Sequence, residues 1–169
     1  MPALSLDDIK KKVEEFAAKI NAPTDLLPTY GYSRDFAHPH IEVDNSGRLN
    51  YVILERGQEL ERKTTDNLDD LLYWIFSGVT FSMACDYELK NRIEIKDCRR
   101  MIFEKQEELL DTLDPIWRQK ENDEHRSILK DHPFDDLAGI RATYCVQLRQ
   151  KGYSESEINK SAYEKYPNN

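Results

Sequence analysis

Residues 68–92 carry a helical pattern that is apolar on two sides, and this constrains the fold more than any other segment. At about 100° per residue, Leu68, Leu72, Ile75, Phe76, Val79, Met83 and Tyr87 share one stripe. Trp74, Phe81, Cys85, Glu88 and Arg92 fall close together on a different side. A helix apolar on two sides is buried on two sides. The expectation is a central helix between a sheet and further helices, with Ser77-Gly78 letting it bend or pack closely.

The flanking segments supply both layers. Ser5 with Asp8 resembles a capping box, and Leu6, Ile9, Val13, Phe16 and Ile20 recur at helical spacing behind it. "NAPTDLLPTYGYS" ends this first helix, with Pro23 and Pro28 as breakers. "HIEV", "RLNYVILERG" and "QELERKTT" read as strands joined at "DNSG" and Gly57. From Asp66 onward the pattern is helical. Thr65 or Asp66 caps the long helix, which reaches about Arg92. Asp97 caps the next, and Asp114-Pro115 opens a third that Pro133 stops. Asp135 or Asp136 caps a fourth ending at Gly152, and Ser154 with Glu157 boxes the last, where Tyr153 is placed to staple onto Ile158. The predicted fold over residues 1–169 is a single α+β domain. It has an N-terminal helix, a three-stranded antiparallel meander, and then a bundle of about five helices packed on the sheet.

Composition narrows the function. The formal net charge of −8 repels a phosphate backbone, so no nucleic-acid partner is expected. It favours a basic macromolecular partner instead. No apolar run has the length to cross a bilayer, and "MPALSLDDIKKK" lacks the basic flank and apolar core of a leader. The expected setting is cytoplasmic, away from membranes. Cys85, Cys98 and Cys145 match neither a disulfide framework nor a metal motif and read as reduced thiols.

Glu88 and Arg92 stand at i, i+4 with the acid first, the favourable order for a helical ion pair. A guanidinium cannot act as a base, and its company lowers a carboxylate's proton affinity. The pair reads as an internal strut, which Arg99 and Arg100 can join with Glu55 or Glu59. Phosphate-loop, dinucleotide, zincin and nucleophile-elbow motifs are absent from the sequence. His38, His40 and Glu42 could form a three-ligand metal site, but Pro39 between the histidines argues for a loop. In "KDHPFDD", a helix stop followed by a helix cap explains His132, Asp135 and Asp136. No cofactor is expected.

Acids cluster at Asp69 and Asp70, at Glu107, Glu108 and Asp111, and at Glu121 and Glu124. They read either as a solvated face or as an acidic docking surface. Trp117 sharpens the second reading, because an aromatic among acids has the composition of a binding hot spot. It fits equally as a core tryptophan.

The strings "ERGQELERKTTDNLDDLLYWIF", "YELKNRIEIKDCRRMIFEKQEELL" and "HPFDD" resemble the bacterial immunity protein 63 family of polymorphic toxin systems. The similarity runs from about Tyr51 to Asp136. It implies an α+β, non-enzymatic protein that binds and blocks a cognate toxin, and a basic nuclease is the toxin that the charge suits. The family pattern features tryptophan and arginine, which map here onto Trp74 and Arg92, beside Glu55, Arg56, Glu88 and Arg99. Two other readings stay open: a small metal-dependent enzyme using His38 and His40, and a regulatory or scaffold subunit. Tyr144, Tyr153, Tyr163 and Tyr166 suit either internal packing or a homodimer interface, so the oligomeric state is open.

Overall fold

The computed structural model describes residues 4–168; residues 1–3 and 169, at the ends of the expected domain, lie outside the described residues. Helix α1, Leu6–Lys19, opens on the expected capping box: the Asp8 N–H donates to Ser5 Oγ at 3.2 Å, and Asp8 Oδ2 accepts the Ser5 N–H at 3.2 Å. Its buried side carries Ile9, Val13 and Ala17. A 3-10 turn at Thr24–Leu26 then leads into the sheet.

The strands are β1 (Thr29–Tyr30), β2 (Pro39–Val43), β3 (Leu49–Glu55) and β4 (Gln58–Thr65), paired in that order. The expected meander is present as β2–β4. The fourth strand, β1, corrects the prediction: it lies parallel to β2, with Thr29 opposite His40, and makes the sheet mixed. Two residues show no alternation to read, and their pairing is decided by chain held eleven residues away. Between Ile53 and Leu54 the β3–β4 register shifts, which leaves Leu60 as an unpaired, exposed bulge residue.

Five helices follow: α2 (Leu68–Asn91), α3 (Cys98–Leu113), α4 (Pro115–Asp131), α5 (Ala138–Gln150) and α6 (Glu155–Lys165). With α1 the described residues hold six α-helices. The expectation that the later helices pack on the sheet is corrected. The sheet is covered mainly by α1 and α2, while α3 packs behind α2, α4 behind α3, and α5 against α6. Helix α2 is thus central, as its two apolar sides require. Leu72, Ile75, Phe76 and Val79 join Ile9, Val13, Ile41 and Tyr51 in the main core.

Its second buried side is rotated from the expected stripe. Thr80, Ala84 and Glu88 are buried, whereas Phe81 is 46% exposed and Trp74 half-buried. Thr80 hides its hydroxyl by donating to the Phe76 carbonyl at 2.6 Å. Thr80 and Ala84 are small and let α3 approach closely, an effect that hydrophobic ranking does not register.

Two caps also differ from expectation. Helix α2 is capped by Asn67, whose Oδ1 accepts the Asp69 N–H at 2.9 Å, rather than by Thr65 or Asp66. Helix α5 starts after Leu137 without a side-chain cap: Asp135 pairs with Arg141 of α5 and accepts the Leu137 N–H at 3.3 Å, while Asp136 pairs with Arg100 on α3. Gly152, at φ +84°, lies beyond the last residue of α5, where only glycine adopts a left-handed bend without strain.

Candidate functional site

Where α2 ends, the chain turns outward at Arg92 and re-enters a helix at Asp97. Glu88 is 3% exposed, and both its oxygens are engaged: Arg92 Nε donates at 3.0 Å and Nη2 at 2.9 Å. The Arg92 side chain is 53% exposed, so the pair joins a buried acid to a solvated cation. The Glu88 carboxylate raises the proton affinity of the Arg92 guanidinium by hydrogen bonding and charge.

Asp97 does three jobs. It caps α3 by accepting the Arg99 N–H at 3.0 Å, accepts the Asp135 N–H at 2.9 Å, and pairs with Arg99 Nη2 at 2.7 Å. Burial works to raise its pKa, but these bonds outweigh burial and hold it below the usual value. Arg99 also donates to the carbonyls of His132 and Pro133, each at 2.9 Å. Arg100 Nε donates to Asp136 at 2.7 Å, and Arg141 donates to Asp135 at 2.6 and 3.2 Å and to the Tyr166 carbonyl at 2.6 Å. The Arg141 hydrogen bonds hold the Asp135 carboxyl below its ordinary pKa. This clasp ties α5 and α6 to the body. It frames an open groove of about 770 Å³ with Glu88 and Arg92 on one wall and Ile140, Tyr144 and Tyr166 on the other.

The other residues expected in the strut stand apart from it. Glu55 and Arg56 are exposed at the β3–β4 turn, and Trp74 lies beneath Lys63, whose Nζ is 5.9 Å from the ring. Arg99 and Arg100 bond Asp97 and Asp136, and Glu59 bonds Arg62, so the expected link to Glu55 or Glu59 is not made. Arg99–Asp97 and Arg62–Glu59 are pairs between near neighbours, whereas Arg100–Asp136 depends on residues 132–136 folding back onto α3, which local spacing cannot anticipate.

The acidic set divides. Trp117 is fully buried, stacked on Phe16 at 5.2 Å and Phe76 at 6.1 Å, with its indole N–H donating to Asp69 at 3.1 Å. That position corrects the hot-spot reading: the ring is core. Glu121 is buried below it and accepts from the Tyr73 hydroxyl at 3.1 Å and the Ser77 hydroxyl at 2.9 Å. Burial, and then the Glu121 charge, push the Tyr73 hydroxyl up. Glu107 turns inward to His125 Nδ1 at 2.7 Å and to Asn122. His125 stacks on Phe103 at 3.9 Å, with Nε2 3.1 Å from Gln106 Oε1. Sequence reasoning missed His125 and Gln106; the signal was the i, i+4, i+8 spacing of Trp117, Glu121 and His125. Glu108, Asp111 and Glu124 stay exposed, Asp69 is exposed, and Asp70 is half-buried near Lys120 at 3.8 Å.

The histidines considered as metal ligands take separate partners. His38 Nε2 lies 2.9 Å from the Leu27 carbonyl, and His40 Nε2 lies 3.0 Å from Glu42, which also accepts from Arg62 at 2.8 Å. Burial, with help from Arg34, lowers the His38 pKa. Among the described residues, no group of three or more His, Cys, Asp or Glu side chains is arranged to hold a metal ion. No described helix is long and apolar enough to cross a membrane.

A family model described as Immunity protein 63 matches residues 44–127, from the β2–β3 turn into α4. The chain belongs to that family. The Immunity protein 63 match includes β3, β4, α2, α3 and the Glu88–Arg92 pair, and it stops short of the "HPFDD" segment. The α5–α6 hairpin, with half the groove, lies outside it. No curated protein and no solved structure was found to match the chain.

Proposed function

We propose that this chain is a non-enzymatic immunity protein that binds a cognate protein toxin and neutralises it by covering the toxin's active or substrate-binding surface. Membership of the Immunity protein 63 family is the observation that carries this reading. A net charge of −8 supports a basic toxin such as a nuclease, because opposite charges speed the capture of a dangerous partner. Of the acids expected to face it, Glu108, Asp111 and Glu124 on α3 and α4, with Asp69 and Asp70 at the start of α2, remain available to solvent. Glu107, Trp117 and Glu121 serve the interior and leave the proposed contact surface.

The test is co-purification of the tagged full chain with the product of the gene immediately upstream. A one-to-one complex that abolishes that product's toxicity is the expected result. Reversing charge at Glu108, Asp111 and Glu124 together should slow association at low salt and flatten its salt dependence. Association kinetics that do not change would remove this acidic face from the account.

A further inference from the structure

The segment before β2 contains a backbone feature that the fold does not need. Asp35, Phe36 and Ala37 are consecutive non-glycine residues in the left-handed region, at φ 60°, 55° and 57°. Each such residue is strained, and an aromatic one is rarely found there. The run is pinned at several points. The Asp35 N–H donates to Ser33 Oγ at 2.9 Å, and the Ala37 N–H donates to the Leu54 carbonyl at 2.8 Å. Asp35 Oδ1 accepts the Gly57 N–H at 3.4 Å, which ties the run to the β3–β4 turn.

The strain returns nothing to the core, because Phe36 is 88% exposed, and Tyr32 in the same loop is 64% exposed. Strain that surrounding bonds hold in place, and that displays a rigid aromatic, is characteristic of a binding element. Two cations frame it. Seven of the chain's arginines bond a carboxylate. Among the described residues, Arg34, Arg56, Arg118 and Arg126 form no ion pair, and the first two flank this loop: Arg34 just before the run, Arg56 in the turn that Asp35 holds.

We infer that the Tyr32–Ala37 loop is a protein-docking element whose partner surface is an apolar pocket, filled by Phe36, with carboxylates at its rim for Arg34 and Arg56. The inference rests on the immunity reading, which makes the toxin that partner, and it adds a contact separate from the acidic face.

The experiment measures binding of the full chain, unaltered and substituted, to the upstream toxin product. Phe36→Asn removes the ring and places a residue that tolerates the left-handed region. It should raise Tm by about 2–4 °C through relief of strain while weakening affinity at least about 30-fold. Arg34→Glu with Arg56→Glu should leave Tm unchanged and weaken affinity about tenfold or more. If the unaltered chain captures the toxin and Phe36→Asn binds as tightly, the docking element is refuted and the immunity reading stands. If the unaltered chain captures no toxin, both are overturned.

Discussion

Truncating Trp117 to alanine separates its two readings, because a core residue and a binding residue fail in different assays. The ring is fully buried between Phe16 and Phe76. Truncation removes about 150 Å² of buried aromatic surface. At about 25 cal/mol per Å², that is a loss of about 4 kcal/mol. The value falls within the range of about 3–5 kcal/mol for a buried tryptophan cut to alanine. The lost indole hydrogen bond adds little, since its acceptor Asp69 is exposed and regains water. In a chain of 169 residues such a loss lowers Tm by about 8–16 °C. Urea unfolding followed by circular dichroism should show the midpoint falling with an unchanged slope. Toxin affinity of the fraction still folded at low temperature should match the unaltered chain. A loss below about 1 kcal/mol together with vanished toxin affinity would refute the reasoning, because surface residues change stability that little.

Gly78→Ala should stabilise the protein by about 0.5–1 kcal/mol, seen as a small rise in Tm, since glycine is unfavourable inside a helix. The added Cβ meets only the Tyr51 hydroxyl at an ordinary 3.7 Å. Acid should loosen the clasp on α5 and α6. Asp97 and Asp135 have depressed folded-state pKa values, so their stabilisation is present above the unfolded aspartate value, about 4, and is lost as pH falls through the folded values. Tm measured from pH 6 down to pH 3 should fall, and Asp97→Asn should flatten that fall; equal slopes would remove Asp97 from the account.

Local chemistry was legible at four helix starts, where donor and acceptor lie within one turn of each other, but not at α2, whose cap is Asn67. Ser5 with Asp8, Asp97, Asp114-Pro115 and Ser154 with Glu157 mark helix starts that the structure keeps, because each cap needs only its own next three residues. The same locality explains the Glu88–Arg92 pair, which lies on one face of one helix. Family membership was readable from the strings between Tyr51 and Asp136, most of which the family match covers. The acidic clusters were legible as composition but not as surface, since periodicity does not say which face of α4 turns inward.

The caps of α1, α3, α4 and α6 and the two-sided burial of the central helix follow from side chains acting on their near neighbours, so the order of residues alone determines them. Other features arise only when distant segments meet. Residues 132–136 return to α3 and claim Arg99 and Arg100, Asp69 receives the Trp117 indole from 48 residues away, and Ile41 accepts the Gly31 N–H that ends β1. A buried carboxylate or imidazole takes whatever partner packing brings to it, because leaving it unpaired costs more than any local preference returns. Packing therefore turned Glu107, Glu121 and Trp117 inward, and the Ala37 N–H bond to Leu54 with the Asp35 carboxylate bond to Gly57 holds Phe36 outward.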